Sequence, residues 1–259
     1  MTDASPTKQL PLTFSGGDAV VTGAASGIGA AIARTLMAAG VRTIRLDVRT
    51  PDADPGYPAA LQLCVGADVR DQDLSERLSQ AGVVPADVSY LVNCAGILDN
   101  TGFIGVDQQA WMRCLEINLV GAYNVMDVLG PALRQAPAAA IVNITSIEAA
   151  RVIALSDPDP TPQYAASKAG LHMLTKTSAR ALAVDGVRVN SVSPGFVATP
   201  MAAAHGDTAQ LPPALAARVP AGRFAAPADI AYAVAFLLSD QAAYITGTDL
   251  RVDGGFELT

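Results

Sequence analysis

The sequence predicts an α/β fold: a doubly wound parallel sheet with helices on both faces. Three observations predict it. Short apolar runs alternate with longer segments of helical period, the pattern of successive βαβ units. No repeat, linker or low-complexity tract interrupts this alternation, so residues 1–259 are expected to form one domain. A chain of 259 residues, 51% of them hydrophobic, can bury about 70–75% of its unfolded surface and needs neither disulfide nor metal to hold a core.

The elements follow in order. Ala19–Thr22 is a short apolar run and the first strand. Gly27–Ala39 carries apolar residues at helical spacing, and Gly40 sits where a left-handed cap would end that helix. Val41–Leu46 is the second strand. Thr50–Pro58 holds too much Pro, Asp and Gly for helix or strand and is expected to be irregular. Leu61–Val65 and Val88–Asn93 are the third and fourth strands, with a helix over Asp71–Gln80 between them. A long helical stretch covers Asp107–Arg134, Ala140–Thr145 is the fifth strand, and Ser156–Pro162 is again irregular. Thr161 and Pro162 supply an N-cap and a first-turn proline for a helix over Pro162–Ala183. Val187–Val192, a helix over Pro227–Leu238 and a last strand over Thr248–Val252 complete the set.

Charge and cysteine content narrow the function classes. Lys+Arg 17 against Asp+Glu 24 gives −7, with a sequence pI near 4.7. An acidic chain without Lys/Arg clusters lacks the electrostatic footprint of a nucleic-acid binder. His172 and His205 have no metal-ligand spacing, so no metal is expected. Cys64, Cys94 and Cys114 form an odd, scattered set that reads as reduced, buried thiols. No cationic-then-apolar leader and no apolar run of 18 residues occurs. The expectation is a cytoplasmic protein with a small-molecule partner and no membrane contact.

The stretch Asp18–Gly29 reads strand, Gly-rich turn, helix. Gly23 permits a tight turn, Gly27 lets backbone approach a pyrophosphate, and Gly29 lets helix and strand pack closely. Free N–H groups at the helix start then hold phosphate. The spacing differs from G-x-G-x-x-G, and three glycines could equally form a turn without a ligand. The second strand is followed by Asp47, 18 residues after Gly29. A carboxylate there can accept both hydroxyls of an adenosine ribose and repel a 2′-phosphate. Two charges about 4 Å apart cost on the order of 4 kcal/mol at an effective dielectric near 20, enough to favour NAD over NADP. Asp47 could also be a solvated strand-end acid, and Arg45 and Arg49 are cations that would soften the discrimination.

Tyr164 and Lys168 are i and i+4 at the start of a helix, so they share a face. That pairing suits proton exchange with an alcohol or carbonyl oxygen. A phenol is too weak an acid for base work at neutral pH, and lowering its pKa by about 2–3 takes roughly 3–4 kcal/mol from a neighbouring ammonium. An oxidised nicotinamide would act in the same direction. A Tyr merely capped by a nearby Lys reads the same way in isolation. Ser146 follows the fifth strand and could bond the same oxygen, while Asn118 interrupts the apolar run 115–120. Each alone also fits a strand-end hydroxyl or a satisfied core amide.

Together, Thr22–Gly29, Asn93-Cys94-Ala95-Gly96, Asn118, Ser146, Tyr164–Lys168 and Pro194-Gly195 match, in order, the motifs of the short-chain dehydrogenase/reductase family. The chain resembles that family from about Gly17 to Gly255. The resemblance implies a Rossmann-like, seven-stranded parallel sheet and a nicotinamide coenzyme. It implies that Tyr164 is the acid/base, that Lys168 lowers its pKa and holds the nicotinamide ribose, that Ser146 orients the substrate oxygen, and that Asn118 positions a water in a proton relay. Asp68 resembles the residue contacting adenine, Asn93 the one packing beside the adenosine ribose, and Thr199 the one contacting the carboxamide. Ile28 would lie beside the pyrophosphate and the Val197 backbone would face the carboxamide. Ser26, Val69, Ala95, Gly96, Pro194 and Gly195 complete the implied coenzyme site.

The chain also departs from the family. Asn93-Cys94 replaces an Asn-Asn pair, and Pro51, Pro55, Gly56 and Pro58 forbid the long helix usual after the second strand. The interval from Ser146 to Tyr164 is longer than usual and carries Asp157 and Asp159, while Met201–Arg223 falls where the family has its mobile substrate lid. With Glu148 and Arg151 these suggest polar groups near the substrate mouth, and sugars, polyols, steroids or hydroxy acids all stay open. The reading that results is an NAD(H)-dependent oxidoreductase interconverting a secondary alcohol and a ketone. The alternatives are an NADPH-dependent 3-oxoacyl-thioester reductase, against which Asp47 argues, and a non-catalytic dinucleotide sensor, against which the complete Asn118, Ser146, Tyr164 and Lys168 set argues. Enoyl reduction fits less well, because related enoyl reductases space their Tyr and Lys further apart. Outward Trp111, Tyr123 and Met173 on the two long helices resemble the surfaces that relatives pair into homotetramers; a monomer is the alternative.

Overall fold

The structure, a computed structural model, describes residues 11–99, 102–153, 161–204 and 206–259. Seven strands form one parallel sheet: β1 (Asp18–Thr22), β2 (Thr43–Asp47), β3 (Gln62–Gly66), β4 (Val88–Asn93), β5 (Ala140–Ile144), β6 (Arg188–Pro194) and β7 (Asp249–Val252). Their order is β3-β2-β1-β4-β5-β6-β7. Both faces are covered, which is why the strands read as largely apolar runs, with buried polar residues such as Arg45, Asn143 and Asn190 bonded within them. Successive residues of one strand serve opposite layers: Val20 joins one core, Ala19 and Val21 the other.

On one face lie α1 (Gly27–Ala38) and α8 (Pro227–Leu238), packing Ile32, Leu36, Ile230 and Val234 against the sheet. On the other lie α2 (Leu74–Gln80), α4 (Gly121–Leu133) and α5 (Pro162–Leu182), through Leu78, Val125, Leu129 and Ala179. Gly40 takes the left-handed cap conformation after α1, φ +83°. The Val41 N–H still bonds Leu36 O at 3.0 Å, so β2 starts two residues later than the sequence suggested.

Three local expectations change. The helix expected from Asp71 starts at Leu74, because Asp71 closes a turn, its carboxylate accepting the Asp68 N–H at 3.0 Å. The stretch over Asp107–Arg134 is α3 (Gln108–Leu115), a π-helical turn (Glu116–Val120) and α4, with Asp107 outside as the N-cap, accepting the Ala110 N–H at 2.7 Å. Thr161 occupies the N-cap position of α5, but its hydroxyl makes no cap bond and donates to Glu148 instead. The expected irregular segment Thr50–Pro58 is irregular, and a 3₁₀ turn at Ala59–Leu61 follows it. The expected irregular segment Ser156–Pro162 and its Asp157 and Asp159 lie outside the described residues up to 160. Two short helices, α6 (Pro200–Ala203) and α7 (Pro213–Ala216), occupy the expected lid region. Among the described residues no helix is long and apolar enough to cross a membrane, and no group of three or more His, Cys, Asp or Glu could hold a metal ion.

Candidate active site

Strand order reverses between β1 and β4, and a crevice of about 690 Å³ opens over the carboxyl ends of the strands there. One side of it begins at the Gly-rich turn. Gly23 (φ +68°) and Gly27 (φ +54°) hold conformations that a side chain resists. A Cβ on Gly23 would stand 2.9 Å from the Ala95 backbone, and one on Gly29 2.2 Å from Gly23 O. The turn is tied to β4 by Thr22, whose hydroxyl accepts the N–H groups of Cys94 and Ala95, both at 3.0 Å. Ser26 stands at the N-cap of α1 without a side-chain cap bond, and no acid lies in the first turn. The donors at this helix start are therefore available to an anion. A Cβ on Gly27 would project towards Thr199, 3.5 Å away, across the gap between turn and lid.

Asp47 lines the same crevice, with Ser26, Ile28, Asp68, Val69, Ala95 and Gly96. Its two carboxylate oxygens accept the Ala25 N–H at 3.1 Å and the Arg49 N–H at 3.0 Å, which fixes the acid at the mouth of the turn. Asp68 pairs with Arg70 at 2.7 Å, and the guanidinium holds its carboxyl below the usual carboxylate range. Of the two cations expected to soften the Asp47 field, Arg49 lines the crevice. Arg45 does not: it is buried, and it donates to Asp52 O at 2.8 Å and Gln62 Oε1 at 3.2 Å, bracing the proline-rich segment.

On the opposite side Ser146, Tyr164, Lys168, Pro194, Gly195, Val197 and Thr199 line the crevice. Ser146 caps the turn after β5, accepting the Glu148 N–H at 3.1 Å, and is hydrogen-bonded to the Tyr164 hydroxyl. Lys168 is buried, donates to Ile144 O at 2.8 Å, and stands 5.7 Å from the centre of the Tyr164 ring. Burial pulls its ammonium down to about 8. The sequence suggested that this ammonium lowers the phenol's pKa. In the protein by itself burial holds Tyr164 well above the ordinary phenol value and the Glu148 carboxylate adds to that, with the Ser146 hydrogen bond opposing both. The reason is geometric: the Lys168 ammonium is bonded to a strand-end carbonyl, not to the phenol oxygen.

Two expected site residues do not face the crevice. Asn93 is 3% exposed and donates to Asn143 Oδ1 at 2.9 Å across the sheet; Asn143 in turn donates to Thr175 on α5. It therefore couples β4 to β5. Asn118, at the middle of the π turn and 0% exposed, accepts the Ile97 N–H at 2.8 Å and donates to Ile97 O and Ser167 Oγ, both at 3.0 Å. Its side chain clamps the chain after β4 to α5, with its amide oxygen beside Gly96. Arg151 also turns away from the mouth, to Glu257 (3.6 Å) and Thr259 O.

Sequence reasoning read Thr161 only as an N-cap and Glu148 only as a polar hint, and gave the Thr22 side chain no role of its own. Glu148 lines the crevice, accepts from Thr161 Oγ1 at 3.3 Å, and is raised by burial to about 7. Cys94 also lines the crevice, and burial pushes its thiol up to about 12, so it is unreactive at neutral pH.

Comparison with known proteins agrees with this architecture. A family model described as enoyl-(acyl carrier protein) reductase, within the short-chain dehydrogenase/reductase group, matches residues 23–257. The chain is 36% identical over 244 residues to a galactitol 2-dehydrogenase (L-tagatose-forming) of Cereibacter sphaeroides, covering 93% of this chain and 95% of that one. It is 40% identical over 251 residues to a cis-4-hydroxycyclohexanecarboxylate dehydrogenase of Sinomonas cyclohexanicum (92% and 95%). It is 34% identical over 247 residues to the 3-oxoacyl-[acyl-carrier-protein] reductase FabG of Thermotoga maritima (91% and 96%). Among solved structures, the aldohexose dehydrogenase of Thermoplasma acidophilum superposes with a TM-score of 0.78 at 30% identity, covering 95% of this chain and 97% of that one. With the parallel seven-stranded sheet and the crevice at its switch point, these likenesses identify the chain as a member of the short-chain dehydrogenase/reductase family, oxidoreductases acting on alcohols and ketones.

Proposed function

We propose that the protein is an NAD(H)-dependent oxidoreductase that interconverts a secondary alcohol and a ketone, with Tyr164 as acid/base. The observation that carries the reading is the meeting of Ser146, Tyr164 and Lys168 on one wall of a crevice whose other wall is the Gly-rich turn. The residues fit a dinucleotide: helix-start donors without a partner, glycines where a Cβ would strike backbone, and Asp47 fixed at the turn. When bound, a nicotinamide dinucleotide supplies the two-electron carrier and, oxidised, a positive charge. Gly23, Ser26, Gly27, Ile28 and Gly29 would hold its phosphates, Asp47 the adenosine ribose, Asp68 and Val69 the adenine side, and Pro194, Gly195, Val197 and Thr199 the carboxamide side.

Ser146 and Tyr164 offer two hydroxyls to one substrate oxygen. In the protein alone the phenol keeps its proton, so Tyr164 is ready to donate it to a carbonyl oxygen as reduction proceeds. In the reverse direction it takes the alcohol proton, which requires extra positive charge beside it; Lys168, still partly an ammonium near neutral pH, supplies part of that. Asn118 acts by positioning, since its amide locks the wall that carries Gly96 to the helix that carries Tyr164 and Lys168.

NAD is preferred over NADP on the strength of Asp47, which would face a 2′-phosphate with a fixed carboxylate. The same residue argues against the NADPH-dependent 3-oxoacyl-thioester alternative, although FabG proteins are among the relatives. Tyr123 and Met173, 52% and 55% exposed on α4 and α5, support a homotetramer; a single-chain mass in sedimentation would remove that part. The central test is Tyr164→Phe, followed by NADH formation from a panel of secondary alcohols. Turnover should fall at least about 10³-fold while the NADH dissociation constant stays within about threefold. Near-native rates in the variant would overturn the assignment.

A further inference from the structure

Resting on that reading of the crevice, we propose that Glu148 selects the substrate: its carboxylate accepts a hydrogen bond from a second hydroxyl next to the reacting carbon, so vicinal diols and polyols are preferred over simple secondary alcohols. Glu148 is two residues beyond Ser146, and its backbone N–H bonds the Ser146 hydroxyl that would hold the reacting oxygen. Its carboxylate also lies near enough to Tyr164 to act on that phenol. A group seated between Ser146 and Tyr164 therefore presents its neighbouring carbon to Glu148.

What surrounds the carboxylate makes it seek a donor. Ile147, Ile153, Phe196 and Leu215, which pack together in one apolar cluster, line the same crevice. Among the described residues its hydrogen-bond partner is Thr161, at a long 3.3 Å, on one oxygen. Among the described residues no cation pairs with it. Lys168 turns its ammonium to Ile144 O, Arg151 is held at Glu257, Arg218 stacks on Phe256 and Arg223 pairs with Asp229. Tyr164 is the titratable group acting on it from α5, and Asp207 is the one acid that the segment 195–224 adds to the crevice lining. An ionised carboxylate only accepts, so a hydroxyl of the ligand is a donor that suits it. A substrate lacking that hydroxyl leaves the acid unpaired and is rejected. Burial raises the carboxyl to about 7, so the accepting form grows as pH rises through neutrality.

The test uses a matched set on the full chain: cyclohexanol, cyclohexane-1,2-diol and 2-aminocyclohexanol. Affinities are read from quenching of bound NADH, and kcat/KM is read with NAD, for wild type, Glu148→Leu and Glu148→Gln. Wild type should bind and oxidise the diol at least about tenfold better than cyclohexanol, chiefly through KM. In Glu148→Leu that ratio should fall below about threefold, with partial retention in Glu148→Gln, whose amide oxygen still accepts. NADH affinity reports that the variants are folded. Equal or undetectable diol binding in wild type, a diol preference that survives Glu148→Leu, or preference for the amino alcohol alone would each overturn the proposal. NADH binding with oxidation of cyclohexanol would leave the dehydrogenase reading intact in those cases, whereas absence of both would remove that reading itself.

Discussion

Replacing Glu148 by Gln should change how stability depends on pH, in a window set by one buried carboxyl. An exposed glutamate titrates near 4.5, and burial holds Glu148 at about 7. Between these values the folded protein keeps a proton that the unfolded chain has released. Its contribution is therefore full below 4.5, declines as pH rises, and is gone above about 7. A pKa difference of that size is worth about 3 kcal/mol in total, of which about 2–3 kcal/mol falls between pH 5 and pH 8. Lys168 acts in the opposite sense but higher, from about 8 upwards, since its folded value is lowered and the unfolded chain then binds more protons. The pH 5–8 interval thus isolates Glu148, and every other titrating group cancels in the difference between wild type and variant. Urea unfolding at fixed protein concentration should show wild type losing about 2–3 kcal/mol relative to Glu148→Gln across that interval. Curves that run parallel to within about 0.5 kcal/mol would refute the burial argument.

Three further outcomes follow from the coenzyme wall. Gly29→Ala sets a Cβ 2.2 Å from Gly23 O, backbone against the turn, so about 1–3 kcal/mol of stability and at least tenfold in NADH affinity should be lost; unchanged fluorescence titration would contradict the close packing. Asp47→Ala removes the fixed carboxylate and should lower the NAD-to-NADP ratio of kcat/KM by about tenfold or more; an unchanged ratio would transfer the preference to another group. Lys168→Met keeps the buried stem but deprives Ile144 O of its 2.8 Å donor, and should weaken both NADH binding and turnover about tenfold or more; a loss confined to turnover would deny it the ribose role.

The sheet was legible because burial on both faces leaves its strands as apolar runs, and the Gly-rich turn because Gly23 and Gly27 are spent on positive φ. The spacing of Tyr164 and Lys168 placed both on one face of α5, and the crevice receives both. What lay beyond reach was set by partners distant in sequence. Nothing local marks a π turn at 116–120, yet that turn sets Asn118 against Ile97 and Ser167, 21 and 49 residues away. Asn93 looks the same in sequence whether it faces a ligand or Asn143 on the next strand. Glu148 reads as a polar residue near a mouth until its place in the crevice beside Tyr164 and Thr161 is known.

The Tyr164–Lys168 pair shows why spacing specifies company but not chemistry. An i, i+4 relation guarantees that two side chains rise from one face; it leaves open where a four-carbon stem ends. Here the ammonium finds Ile144 O, the carbonyl at the end of β5, and burial takes part of its charge. The phenol is left with a hydroxyl on one side and a carboxylate on the other, and both its burial and Glu148 favour the protonated form. A resting site of this kind is an acid. It gains a base only when positive charge is added beside Tyr164 or when negative charge at Glu148 is relieved. A substrate hydroxyl donating to Glu148 would favour its ionised form and so hold the phenol in its acid form, which links substrate recognition and phenol acidity through one carboxylate.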